Sequence, residues 1–291
     1  MKIAIIGADS QLGSDLMKTS TANRLIPMNQ SILELTNRSQ IMDVFWHLRP
    51  QIIINTIGYH NVDACEKDPG MSFMVNSVGP GYLAEACCSI GATLVHISTD
   101  YVFDGQKREP YREDEPVRPL NIYGLSKLAG ELNIQNRMAK YFIIRTSELY
   151  GLHLSAGQDG NFVDMMHRLS REKKYIRVID EEILTPTYTA DLAGKIMELI
   201  ETEKYGLYHI TSAGSCSWYE FAMKMFFIAD IKTPLERITR DEFPSAVKRP
   251  KYTVLDNHKL REAGLIELRC WQEALDDCLG RRMKNQEAVI K

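Results

Sequence analysis

No apolar run in this 291-residue chain approaches the roughly 20 residues that a membrane-crossing helix needs. The opening MKIAIIG has one lysine and then a run that meets Gly7 after four residues, too short for a secretory signal, and it reads as a first strand. No C-terminal lipidation pattern is present, so a cytoplasmic protein is expected with no membrane partner. Charge of one sign is also lacking: 35 basic residues stand against 38 acidic ones, a formal net of -3, without the basic excess that a phosphate-backbone binder requires, so nucleic acid is excluded as an expected partner. Cysteine is present but unpatterned. Cys65, Cys87, Cys88, Cys216, Cys270 and Cys278 form no C-x-x-C pair and no cysteine–histidine spacing suited to zinc; they read as core fillers or surface thiols, and no metal site is legible. Internal repeats and low-complexity tracts are absent as well.

What the chain does have is 44% hydrophobic content, enough to bury one large domain or a main domain with a smaller lobe. Short β-branched runs, KIAIIG from Lys2, LIPM from Leu25, QIIINT from Gln51, ATLVHIS from Ala92 and YFIIRT from Tyr141, alternate with stretches whose apolar residues recur three and four apart. These helical stretches span Gln40–Leu48, Met71–Ser89 and Ser126–Met138. Repeated βαβ of this kind predicts an α/β fold with a doubly wound parallel sheet. Residues 1–150 are expected to form a dinucleotide-binding domain to which later segments return, and residues 151–291 mostly a smaller substrate lobe. In that tail, helices over Phe162–Lys173, Ala190–Glu203 and Trp218–Ala229 are separated by short strands, IRVI from Ile176 and LYHI from Leu207. Segment Arg108–Pro119, with three prolines and seven charged residues, is expected as an exposed loop beside the cleft.

Directly after the first strand comes GADSQLG. Gly7 allows a tight turn, Gly13 lets the following helix pack on the strand, and the helix start between them suits a dinucleotide's pyrophosphate. The middle glycine of the G-x-x-G-x-x-G pattern is replaced by Ser10, and Asp9 beside it brings negative charge, so a plain strand-to-helix turn with Asp9 or Ser10 as N-cap stands as the alternative. After the second strand, Asn29 and Gln30 offer neither the acid that holds an NAD ribose nor the base that favours an NADP phosphate, which leaves NADH and NADPH both open.

Tyr123 and Lys127 stand four apart at the start of a predicted helix, on one face and one turn apart. A tyrosine delivers a proton to a developing alkoxide only when its phenolate is stabilised, and a nearby ammonium does this. The fourth strand runs into Ser98-Thr99-Asp100-Tyr101-Val102-Phe103-Asp104-Gly105, placing hydroxyls where a doubly wound fold binds ligands, with Thr99 expected to hydrogen-bond a substrate carbonyl.

With STDYVFDG, NIYGLSKLAGE, IIRTSELYG, GNFV from Gly160, TPTYTADLA from Thr185, SWYEFA from Ser217 and KRPKYTVLDNHKL from Lys248 in this order, the chain resembles the dTDP-4-dehydrorhamnose reductase family from Met1 to about Leu279. The resemblance implies an extended short-chain dehydrogenase/reductase (Rossmann) that transfers hydride from NADPH or NADH to carbon 4 of a dTDP-linked deoxyketosugar. It implies Thr99, Tyr123 and Lys127 as catalytic residues. It puts Gly7, Ser10, Gln11, Leu12 and Gly13 along the coenzyme pyrophosphate, Glu34 and Leu35 at the adenine, and Thr56, Ile57, Gly58 and Tyr59 on the coenzyme's far side. On the sugar side it implies Val62, Asp100, Tyr101, Glu148, Asn161 and Arg249, a planar guanidinium being suited to diphosphate oxygens. Homodimers and Mg2+ belong to the same family expectation. Two departures fall at ligand positions: the Asp9–Ser10 loop, and Glu148 where the family carries a tryptophan against the sugar. Other readings of the same superfamily are an epimerase with retained NAD and a non-catalytic nucleotide-binding subunit resembling the regulatory subunit of methionine adenosyltransferase. A dehydratase is disfavoured because Tyr101 stands where a dehydratase carries glutamate.

Overall fold

The computed structural model describes residues 1–19, 22–29, 31–152, 160–243, 245 and 247–290. Its first half alternates strand and helix: β1 (Lys2–Ile6), α1 (Gln11–Leu16), β2 (Arg24–Met28), α2 (Arg38–Leu48), β3 (Ile52–Asn55), α3 (Val62–Lys67), α4 (Pro69–Phe73), α5 (Gly79–Ile90), β4 (Thr93–Thr99), α6 (Ile122–Gln135) and β5 (Tyr141–Thr146). The second half adds β6 (Leu149–Tyr150), α7 (Phe162–Glu172), β7 (Ile176–Ile179), β8 (Ile183–Leu184), β9 (Thr187–Tyr188), α8 (Thr189–Ile200), β10 (Gly206–His209), β11 (Cys216–Ser217), α9 (Trp218–Ile228), β12 (Leu235–Ile238), α10 (His258–Glu262) and α11 (Trp271–Ile290). The main sheet has six parallel strands in the order β10-β5-β4-β3-β1-β2, the doubly wound topology expected.

Its strands are apolar throughout because both faces are covered. On β1, Ile3 and Ile5 join α1 and α8 residues such as Leu16 and Ile196, while Ala4 and Ile6 join Phe45 of α2 and Leu83 of α5 on the opposite face. Pro27 is tolerated because β2 is the sheet edge, where a missing N–H breaks no inner ladder. A third cluster, with Tyr150, Phe221, Met225 and Trp271, is the core of the lobe built from α7, α9 and α11.

Three features differ from the sequence reading. The stretch expected as one helix over Met71–Ser89 is α4 and α5 joined through a π-turn at Met74–Val78, which carries the buried Asn76. The strand from Leu207, read as part of the tail, is the sixth strand of the main sheet, beside β5. And Arg108–Pro119 is not simply exposed: Tyr111 is buried with its ring stacked on Phe103 at 4.2 Å, and buried Glu113 accepts the backbone N–H of His209 and of Lys259, each at 3.1 Å. Prolines and charges mark a segment that cannot be helix or inner strand, but they do not say whether it packs. All six cysteines are free, four of them buried. No described helix is long and apolar enough to cross a membrane.

Candidate active site

The glycine loop is shaped as a tight turn. Gly7 has φ 76°, and a Cβ there would lie 2.6 Å from Thr56 Oγ1; a Cβ on Gly13 would lie 1.9 Å from the Gly7 carbonyl oxygen, so α1 packs on the turn only with glycine at that position. Ser10 takes the N-cap role of the plainer reading, its hydroxyl accepting from the Gly13 N–H at 3.0 Å and pairing with Thr56 Oγ1 at 2.8 Å. It also lines, with Gln11 and Leu12, a cavity of about 370 Å³ at the C-terminal ends of the sheet strands. Thr56, Ile57 and Gly58 line the same cavity, whereas Tyr59 does not; its backbone is clamped by the Asn76 amide, N–H to Oδ1 and Nδ2 to carbonyl, both at 2.8 Å. Glu34 and Leu35 also lie outside the cavity lining, Glu34 bonded to Thr36 and Leu35 buried under Gly79. Gln30 lies outside the described residues.

The opposite wall comes from β4 and α6. Asn121 caps α6 through the Gly124 N–H at 2.9 Å. Added Cβ atoms would lie 2.2 Å from the Tyr101 carbonyl, just past β4, at Gly124 and 2.1 Å from the Asn76 carbonyl of the π-turn at Gly130. This close approach brings Tyr123 and Lys127, one turn apart, to the end of β4. The Tyr123 and Tyr101 rings meet edge to face with centroids 5.7 Å apart. Burial pushes the Tyr123 phenol above its ordinary range, opposed by hydrogen bonding with Thr99. Lys127 Nζ donates to the Ile97 carbonyl at 2.5 Å and lies 3.5 Å from His96 Nε2; burial pushes its pKa down to about 8, with Glu131 opposing. His96 is held well below its ordinary range by burial and by Lys127, and is therefore neutral.

Thr99 donates to Asp100 Oδ1 at 3.0 Å and accepts from the Tyr101 N–H at 3.2 Å. Buried Asp100 also accepts from Ser147 at 2.8 Å and from Thr253; burial raises its pKa against these three hydroxyls. Val62, Asp100, Tyr101, Glu148 and Asn161 all line the cavity. Glu148 sits at φ 27°, outside the usual range for a side-chain-bearing residue, its carbonyl fixed by the Thr187 N–H at 2.9 Å. Burial, then the neighbouring Asp100, raises its carboxyl pKa to about 8. Arg249 is not part of the lining: it is ion-paired with Asp63 at 2.8 Å.

Sequence reasoning missed Glu182, Thr146 and Trp218 in this cavity, as well as His96 behind it. Trp218 lay within SWYEFA, but no spacing marked it; Glu182 accepts from its indole N–H at 3.1 Å. Gln11 Nε2, Thr146 Oγ1 and Asn161 Nδ2 line the cavity enclosed and without a hydrogen-bond partner among the described residues. Buried polar atoms in that state suit a polar ligand. No group of three or more His, Cys, Asp or Glu among the described residues is placed to hold a metal ion.

Residues 1–283 match the family described as RmlD substrate binding domain. The chain is 37% identical to the spore coat polysaccharide biosynthesis protein SpsK of Bacillus subtilis, over 97% of this chain and 98% of that protein. It is 35% identical to the dTDP-4-dehydrorhamnose reductase of Aggregatibacter actinomycetemcomitans, covering 94% and 97%. Among solved structures, dTDP-4-dehydrorhamnose reductase from Bacillus anthracis in complex with NADP superposes with a TM-score of 0.92 at 40% identity, covering 96% of this chain and 99% of that one.

Proposed function

The chain belongs to the dTDP-4-dehydrorhamnose reductase family, and on that premise we propose that it reduces the 4-keto group of dTDP-4-dehydro-L-rhamnose, with NADPH or NADH as coenzyme. The observation that carries this reading is the convergence of Thr99, Tyr123 and Lys127 on one wall of a cavity whose other wall is the glycine turn with Ser10, Gln11 and Leu12. The unpartnered Gln11 amide and the bare Gly58 backbone in that lining suit a dinucleotide. When bound, the reduced coenzyme supplies hydride to the keto carbon. Tyr123 gives its phenolic proton to the keto oxygen, Thr99 orients that oxygen, and Lys127 stabilises the phenolate left behind. Asp100, which also accepts from Ser147 and Thr253, holds the Thr99 hydroxyl in place until the keto oxygen takes its hydrogen bond. Residues 1–150 with β10 carry the coenzyme half, and the lobe closes over the sugar through Asn161 and Trp218. Use of NADPH or NADH as an exchangeable coenzyme supports a cytoplasmic location.

Glu148 favours a second reading, reduction of a related deoxysugar nucleotide. An uncharged carboxyl offers hydrogen bonds to sugar hydroxyls rather than an apolar ring face. Coenzyme oxidation by the purified protein, with dTDP-4-keto-6-deoxy-L-mannose generated in place and product analysis, tests both. Substrate-dependent oxidation yielding dTDP-L-rhamnose establishes the first reading; no oxidation beside an active control enzyme rejects it, and oxidation only with another dTDP-ketosugar establishes the second.

A further inference from the structure

We infer that Glu148 selects a substrate whose sugar carries a charged amino group on carbon 3, beside the keto carbon, with Thr146 receiving a second N–H of the same group. The inference narrows the second reading above from a hydroxyl to an amino substituent, and it rests on the cavity taking a dTDP-linked 4-ketosugar.

Three carboxyl groups, Asp100, Glu148 and Glu182, line the cavity, and all three act on the Tyr101 phenol; Lys127 is the one lysine or arginine of the lining. Lys127 does not serve them. Its Nζ donates to the Ile97 carbonyl and lies 3.7 Å from the Cβ position of Gly58, on the coenzyme side. Arg249 also acts on Tyr101 but is paired with Asp63. Two of the three carboxyls are satisfied by the protein: Glu182 accepts from the Trp218 indole at 3.1 Å and pairs with Arg240 at 3.0 Å, and Asp100 accepts from Thr99, Ser147 and Thr253. Glu148 is different. Among the described residues no donor and no cation acts on its carboxyl, only burial and the charge of Asp100, and both disfavour its ionised form.

Thr146 points to a ligand independently. It is 5% exposed, its Oγ1 is enclosed without a hydrogen-bond partner among the described residues, and it lines the cavity in register with Thr99 on the neighbouring strand. A buried hydroxyl in that state is completed by what binds. With the keto oxygen on Thr99, the ring carbons next to the keto carbon come level with Asp100, Thr146 and Glu148. Of these two carbons, carbon 5 carries the ring oxygen and a methyl, so carbon 3 is the one whose substituent varies. A hydroxyl there supplies one hydrogen and no charge, leaving Asp100 and Glu148 as adjoining acids. An ammonium supplies three hydrogens, enough for Glu148 and Thr146 Oγ1 together, and its charge lets Glu148 ionise against it, the carboxyl proton passing to solvent.

The test is binding to the full chain without hydride transfer. Calorimetry at pH 7 compares dTDP-3-amino-3,6-dideoxy-D-glucose with dTDP-6-deoxy-D-glucose and with the N-acetylated amino sugar. The amine should bind about tenfold or more tightly than the other two. In Glu148→Gln that advantage should fall to about threefold or less, with dTDP-6-deoxy-D-glucose bound as before, and Thr146→Val should reduce it as well. Equal affinity for amine and hydroxyl overturns the inference, as does an N-acetyl sugar that binds as tightly as the amine, or an advantage that survives Glu148→Gln. Should that variant not fold, the three ligands on the wild-type chain decide alone. Each of these failures leaves the reductase reading to its own test, coenzyme oxidation with a hydroxyl-bearing ketosugar, whereas no binding of any dTDP-sugar overturns both.

Discussion

Glu131 and Arg145 are joined by two parallel hydrogen bonds, Arg145 Nε to Glu131 Oε1 at 2.9 Å and Nη2 to Oε2 at 2.7 Å, with almost nothing of either side chain open to solvent. The pair ties α6, one turn beyond Lys127, to β5, and the Ser98 hydroxyl donates to the same carboxylate. Removing the carboxylate leaves a buried guanidinium without its counter-charge. Glu131→Gln should therefore lower unfolding stability by about 3–5 kcal/mol. Urea denaturation checks this, and a loss under about 1 kcal/mol would mean that the pair is not what holds α6 to the sheet.

Tyr123→Phe removes the phenolic proton and keeps the ring against Tyr101. Turnover should fall by about 10²–10⁴-fold while coenzyme affinity changes little. Steady-state rates and a coenzyme titration by protein fluorescence separate the two; near-native turnover would remove Tyr123 from the chemistry.

Glu148 should leave a mark on stability as a function of pH. In the unfolded chain its carboxyl ionises near the ordinary 4.5, whereas in the fold it keeps its proton to about 8. Between those values the folded state binds the extra proton, so the contribution of Glu148 to stability declines as pH rises through that window. Glu148→Gln cannot ionise. Its stability relative to the wild type should grow from pH 5 to pH 8 and level off above, as read by paired urea melts; a difference that is flat across the window would mean an ordinary, solvated carboxyl.

Gly13→Ala places a methyl 1.9 Å from the Gly7 carbonyl, a contact with backbone that no rotamer relieves. The expected result is a loss of about 3 kcal/mol or more, together with weakened coenzyme binding because the turn must shift. A thermal melt and a coenzyme titration check both, and a variant that melts and binds like the wild type would show that α1 is free to move away from β1.

The sheet was legible where its signal is local. Ile3 to Ile6, Ile52 to Ile54 and Phe142 to Ile144 are continuous apolar runs because both faces of each strand are covered, and Gly7 and Gly13 stand at the spacing a tight strand-to-helix turn demands. Tyr123 and Lys127 were legible because helical spacing alone puts them on one face. Glu131 with Arg145, Glu113 with the backbone of β10, and Asn55 with His96 were not: each joins elements whose pairing is set by the order of strands, and no periodicity within either segment carries that information. His96 reads in sequence as one more residue of a strand. Only the strand order sets its ring 3.5 Å from Lys127 Nζ. Arg249 was legible by residue type alone; its ion pair with Asp63, beside the cavity residue Tyr101, was not.

The position of β10 also governs how the chain emerges from a ribosome. The sixth strand is made only after the lobe segments α7 to α8, and Glu113 receives its second backbone partner only at Lys259. Until then β5 is an uncovered parallel edge with free N–H and carbonyl groups, the kind of surface that recruits stray strands. A nascent chain halted near residue 150 would hold the glycine turn, Tyr123 and Lys127 and still be an unfinished sheet, so early termination of translation yields an aggregation-prone fragment rather than a free-standing coenzyme binder.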